Sequence, residues 1–236
     1  MLHTDNGQAA HSQTAAQNDA SRIQIAAKQP LPLTKQAPSL SVAEQVKTLW
    51  KALQAVPALK KVLRSGWLRV GLSHPESVAA HSWGVAVLAL SLCPPNLDRT
   101  KVIEIALVHD WAEAYVGDLT PYDQVSPQEK ASRENASFKQ ISMPLPNGTL
   151  MHERFQEYQA NTTKEAQFVH ALDKLDMALQ AAAYNKQYPN FSFGEFTESA
   201  CIYFAQKLTE PEALALGQLL NCAFSESAEA ALDFTE

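Results

Sequence analysis

From Ser41 onward the chain repeatedly spells the start of a helix and nowhere the sustained alternation of a strand, and this limits its fold most. Ser41-Val-Ala-Glu44 is a capping box, in which serine and glutamate each satisfy a backbone N–H at a helix N-terminus. Ser126-Pro127-Gln128-Glu129 repeats it with proline at the first helical position, where its missing donor costs nothing. Thr162 with Glu165 and Thr209 with Glu212 are further candidates. Apolar residues follow at helical spacing: Val42, Val46, Leu49 and Leu53, then Phe168, Leu172, Leu175 and Leu179. With 8 glycines in 236 residues, the chain also lacks the positive-φ positions that a many-hairpin β fold requires. The expected fold class is therefore all-α, a bundle of roughly seven to nine helices. They are placed at about 42–55, 58–65, 76–92, 99–116, 127–142, 149–159, 163–185, 195–208 and 211–223.

Residues 1–40 are of another kind. They are rich in Ala, Gln, Ser, Thr and Asn, hold no aromatic residue and close on Pro30, Pro32 and Pro38. Such a segment cannot bury enough apolar surface to offset its ordering entropy, so a disordered low-complexity tail is expected. A domain over 41–225 and a short C-terminal tail over 226–236 complete the expected organisation. Arg22 is the tail's only arginine, which argues against a transit peptide, and no secretory signal is visible. The formal charge of −6 is spread along the chain, the opposite of what gripping a nucleic-acid polymer requires. The longest purely apolar run, Val85 to Leu90, is far too short for a membrane span. Cys93, Cys201 and Cys222 are far apart and form no CxxC pair, so they read as thiols in a reducing compartment, with the cytoplasm as expected location.

Three fragments put ionisable residues on otherwise apolar helices: Ser77 to Val87 around His81, Ile103 to Asp118 around His109-Asp110, and Phe168 to Asp176 around Asp173. His109 and Asp110 follow Ile105-Ala106-Leu107-Val108, a run that can only be buried, so both must be paired or bound to something. Glu113 lies three residues after Asp110 and four after His109, leaning over the same face, and Gly117 suits the end of that helix. Alone, the His-Asp dipeptide reads first as a core histidine beside a capped aspartate. The ordered set of His81, His109-Asp110 and Asp173, each on its own helix, reads differently. Two imidazoles and two carboxylates suit a divalent first-row metal and are too poor in oxygen for calcium. His74, His152 and His170 receive no role, although His170 lies on the Asp173 helix.

With these residues the chain resembles the HD-domain phosphohydrolases, whose motif runs H…HD…D. The closer resemblance is to the 5′-deoxynucleotidase branch. It is carried by Arg64-Ser65-Gly66-Trp67, Pro75-Glu76-Ser77-Val78, His109 through Glu113, and Val116-Gly117-Asp118, over roughly residues 45 to 185. The resemblance implies metal ligation by His81, His109, Asp110 and Asp173, and one divalent ion (Mn, Co, Mg or Zn) as cofactor. It implies that Glu113 is the acid/base managing the attacking water, with Asp118 also catalytic. Arg64 would orient the phosphate, Trp67 would lie near the nucleoside, and Asp118 with Thr120 would contact sugar and phosphate. Ala80 stands where the branch usually has an acidic residue. Gly66 stands where some bacterial members have arginine, which makes Arg69 a rival to Arg64.

The activity so implied is metal-dependent hydrolysis of (deoxy)nucleoside 5′-monophosphates. A phosphodiesterase or pyrophosphohydrolase acting on a signalling nucleotide would share the four ligands, and a catalytically silent metal-binding module is the reading from another class. The expected partners are a small nucleotide and, through the apolar residues Ala213, Leu214, Leu216, Leu219 and Leu220, a second copy of the chain. That stripe serves equally well as ordinary core.

Overall fold

The structure, a computed structural model, describes residues 41–229. The expected N-terminal tail and residues 230–236 lie outside the described residues. Eleven helical segments follow one another: α1 (Val42–Leu53), α2 (Ala55–Leu59), α3 (Ser65–Arg69), α4 (Val78–Leu92), α5 (Arg99–Val108), α6 (Glu113–Val116), α7 (Pro127–Ser142), α8 (Gly148–Ala160), α9 (Lys164–Gln187), α10 (Gly194–Lys207) and α11 (Glu210–Glu229). Eight of them run ten residues or more, as the all-α expectation requires, and no strand occurs among the described residues. A single antiparallel bridge joins Leu63 to Ser77 and holds the approaches to α3 and α4 side by side.

The capping signals mostly act as written. Ser41 and Glu44 form both halves of their box. Ser126 accepts from the Glu129 N–H, but the Glu129 carboxylate turns away to Arg133, so only half of that box forms. Thr163, not Thr162, caps α9 by accepting from the Ala166 N–H. One expected helix is displaced and another divides. In place of one over 58–65, α2 begins before Pro57, which its first turn tolerates because the proline N–H would be unsatisfied there anyway. The helix over 99–116 breaks after Val108 and resumes at Glu113.

The 24-residue α9 is the central element, and α4, α5, α8, α10 and α11 all pack against it. Val85 and Ala89 of α4, Val102 and Ile105 of α5, Leu172 and Leu175 of α9, and Phe204 of α10 close one core with Leu216 and Leu220 of α11. Each of the larger of these side chains contributes about 1.5–3 kcal/mol by leaving water. Leu216 and Leu220 thus belong to the core, whereas Leu214 and Leu219 of the same expected stripe are exposed. The apolar face of α1 also stays outside: Val42, Val46, Trp50 and Leu53 are exposed. A second cluster, of Trp67, Leu72, Tyr184, Phe193 and Phe196, fixes α3 against the C-terminal half of α9.

Candidate active site

Three elements converge on one point. On α4, His81 falls within the buried stripe of Val78, Ser82, Val85 and Ala89, so its ring must point inward. Asp173 sits on α9 between the buried Leu172 and Leu175. Between α5 and α6 the backbone tightens, with bonds from Trp111 N–H to Val108, from Glu113 N–H to Asp110 and from Ala114 N–H to Trp111. This i→i+3 pattern eclipses residues three apart, setting Glu113 behind Asp110. The break that divided the expected helix is thus what gathers His109, Asp110 and Glu113.

His81 Nε2 lies 3.2 Å from Asp173 Oδ1 and 3.7 Å from Asp110 Oδ2, and His109 Nε2 lies 3.2 Å from Asp110 Oδ2. Donor atoms of His81, His109 and Asp173 all fall within 4.8 Å of one another. Ligands bound at about 2.1 Å to a common ion stand roughly 3 to 4 Å apart, so the spacing fits a cation. The rings are oriented for it as well. His109 Nδ1–H donates to the Ala106 carbonyl at 2.8 Å, and His81 Nδ1–H to Asp176 Oδ2 at 2.8 Å. Both Nε2 atoms therefore face the gap, and both are buried without a hydrogen-bond partner. Buried polar atoms are rarely left so, and a divalent cation between the four side chains is what the donor set fits.

The charges are strongly coupled. Burial and Arg64 act to lower the His81 pKa, but Asp173 and Asp176 outweigh them and hold it up at about 9. Burial opposes charge on Asp110, yet His109, Arg64 and His81 keep its pKa below the usual carboxylate range. Asp173 is likewise lowered, burial being overcome by Lys174 and the two histidines. Glu113 goes the other way: burial first, then Asp110 and Asp118, push its pKa well up. Its Oε2 is a third buried atom without a partner.

His109, Asp110, Glu113 and Asp173 line a cleft of about 570 Å³, together with Arg64, Asp118, Thr120, Arg69 and Phe196. Arg64 Nη1 reaches Asp110 at 3.2 Å and Asp118 at 3.9 Å, while Asp118 accepts from the Ser65 N–H at 2.8 Å. Arg69 stands farther out, paired with Glu195 and lying 4.2 Å over the Tyr122 ring. Of the two rivals, Arg64 is the one beside the convergent carboxylates. The Thr120 hydroxyl donates to Asp123 within a turn of its own loop. Trp67 also lines the cleft. It is 1% exposed, packs edge-on to Tyr184 and tilted against Phe196, and donates Nε1–H to Glu76 at 3.0 Å. It forms the floor of the cleft as a core residue and offers no open face for stacking.

A family profile described as HD domain matches residues 56–211. The chain belongs to the HD-domain family. The human 5′-deoxynucleotidase HDDC2 is 38% identical over 140 residues, which cover 58% of this chain and 69% of that protein. The 5′-deoxynucleotidase hdd1 of Schizosaccharomyces pombe is 34% identical over 142 residues, covering 58% and 72% respectively. Among solved structures, the crystal structure of a Pyrococcus horikoshii protein superposes with a TM-score of 0.62 at 33% identity, covering 74% of this chain and 98% of that one.

This HD-domain site contains further side chains that carry no role in the sequence analysis. Asp176 is one, and its partner His81 is 95 residues away. The only local signal was a second carboxylate three residues after Asp173, on the same helix face. Tyr158 donates its hydroxyl to Asp173 at 3.2 Å, and His170 stacks on that tyrosine with ring centroids 3.8 Å apart. Lys174 lines the cleft and, among the described residues, makes no ion pair. His152 stacks against Phe138 and His74 is exposed, both away from the site.

Proposed function

We propose that this HD-domain protein removes phosphate from deoxynucleoside 5′-monophosphates with one divalent cation held by His81, His109, Asp110 and Asp173. The observation that carries the reading is the set of three buried, unpartnered atoms, His81 Nε2, His109 Nε2 and Glu113 Oε2, the last two on residues that line one cleft. The substrate class follows the relatives named 5′-deoxynucleotidase. When bound, the cation supplies acidification of a water and neutralisation of charge on a phosphoryl oxygen.

The chain's own residues do the remainder. Glu113, whose burial raises the proton affinity of its carboxylate, takes in that ionised form a proton from the attacking water as its oxygen bonds to phosphorus. It returns that proton to the 5′-oxygen as the P–O5′ bond breaks, leaving nucleoside and inorganic phosphate. Arg64, held by Asp110 and Asp118, presents its fork to the phosphate, and Lys174 is available to meet the same anion. Asp118 and Thr120 form the wall that the sugar would meet. A cytoplasmic setting and a homodimer complete the proposal. With Leu216 and Leu220 inside the core, the second copy would meet Trp83, Val87, Leu90 and Leu107, which are exposed.

The test is phosphate release from a deoxynucleoside monophosphate by metal-stripped protein, with Mn, Co, Mg or Zn added back, beside Glu113→Ala. Metal-dependent release that drops by about 10²–10⁴-fold in the variant is expected. Protein that binds a cation yet releases no phosphate with any of the four overturns the nucleotidase reading. Turnover of cyclic or diphosphorylated nucleotides in its place would favour the phosphodiesterase.

A further inference from the structure

His81 is fully buried on α4, and both of its ring nitrogens face carboxylates of α9. Nε2 looks toward Asp173 at 3.2 Å and Nδ1 binds Asp176 at 2.8 Å. The two aspartates are three residues apart, so one turn of α9 grips the imidazole from two sides. Asp176 reaches the ring by passing over Gly84, one turn along α4 from His81. A Cβ at position 84 would lie 2.1 Å from Asp176 Oδ1 and 2.9 Å from its carboxyl carbon, closer than atoms can stand. Glycine inside a helix costs about 0.5–1 kcal/mol relative to alanine, so its presence in mid-α4 calls for a compensating reason. Room for the Asp176 carboxylate is that reason.

Behind Asp176 lies Glu76, with donor atoms of Glu76, His81 and Asp176 within 4.8 Å of one another. This is not a second cation site. The His81 nitrogen on that side carries the proton given to Asp176, and Glu76 is engaged by Trp67.

We propose that Asp176 is a positioning residue of the metal centre: it fixes His81 as the Nδ1–H tautomer and aims Nε2 at the cation, and Gly84 is small so that it can. The inference rests on the metal-dependent reading of the cleft. A carboxylate on one imidazole nitrogen locks the ring and makes the other nitrogen a better donor, and loss of such a partner weakens metal binding about 10–100-fold.

The experiment uses the full chain, metal-stripped and titrated with Co²⁺ alone, following its visible absorption and its competition with a chelating dye. Asp176→Ala is expected to weaken Co²⁺ binding by about 10–100-fold. Asp176→Asn, which keeps an acceptor of the same shape but not the charge, should fall between the parent and Ala. Gly84→Ala should also weaken binding and alter the Co²⁺ band, because its methyl displaces the carboxylate without removing it. Melting of each metal-free variant identifies any that fails to fold, and the near-isosteric Asn variant keeps the test open if Ala does. Parental Co²⁺ affinity and spectrum in Asn and Gly84→Ala would overturn the proposal and leave Asp176 as a plain buried hydrogen-bond partner. No nucleotide enters the measurement, so failure of the nucleotidase reading would show separately, as normal Co²⁺ binding by the parent without phosphate release.

Discussion

His81 titrates as a residue caught between two carboxylates, and this has a measurable consequence for the metal-free protein. With its pKa held up at about 9, the imidazole carries at pH 7 a proton that a cation must displace from Nε2. Apparent metal affinity should therefore rise by about tenfold per pH unit below pH 9 and level off above it, with one proton released per ion at neutral pH. Calorimetry in buffers of different ionisation enthalpy counts that proton; none released would mean that the ring is already neutral. At this scale the sequence was informative where chemistry and context clash. A histidine and an aspartate at the end of a run such as Ile105 to Val108 must find partners, so His109 and Asp110 stood out. Asp176 did not, because a polar residue on an amphipathic helix has many ordinary explanations and its partner lies on another element. Trp67 was read through its neighbours in the motif, whereas the cluster of Tyr184, Phe193 and Phe196 that encloses it comes from residues more than a hundred positions away.

Among the elements, the break between α5 and α6 matters most, and apolar periodicity could not reveal it. Residues 99–116 contain neither glycine nor proline, and local preference alone would carry one helix to Val116. The chain turns early because His109 and Asp110 are drawn toward α4 and α9. What the sequence does mark is the far end. Gly117 takes φ 77° and ψ 167°, a region that essentially only glycine occupies. Its missing Cβ would meet nothing within 4 Å, so substitution acts on the backbone alone. Gly117→Ala should cost about 1–3 kcal/mol, read as a lower denaturation midpoint at unchanged m-value. Because Asp118 is the next residue, phosphate release should fall as well. Full stability in the variant would show that the loop relaxes to another conformation. At α2 the expected start near 58 falls late, because Pro57 sits within the first turn of a helix that begins at Ala55.

For the whole molecule, the all-α class was legible because helical periodicity is a local property, while the partition of apolar residues between core and surface is not. Leu216 and Leu220 pack on α9, whereas Trp83 is 70% exposed and Leu107, in the run expected to be wholly buried, is 55% exposed because it faces away from the core that Ile105 and Ala106 join. Trp83 and Leu107 border a second cleft of about 540 Å³ with Val56 and Leu150. If a second copy covers this face, sedimentation equilibrium should find a dimer that Trp83→Glu converts to monomer, and a parent that is monomeric at all concentrations removes the homodimer from the proposal. The active cleft carries six carboxylates against four lysine and arginine side chains along its walls, an excess that shrinks because burial keeps the Glu113 pKa well up. A cleft so nearly balanced offers a dianion little net attraction, and under the proposed function a divalent ion would supply it. The proposed order of addition is then ion before nucleotide. Scarcity of the ion would leave a protein that turns its substrate away at the entrance, not one that sequesters it unreacted, and the nucleotide pool would remain free for whatever else consumes it.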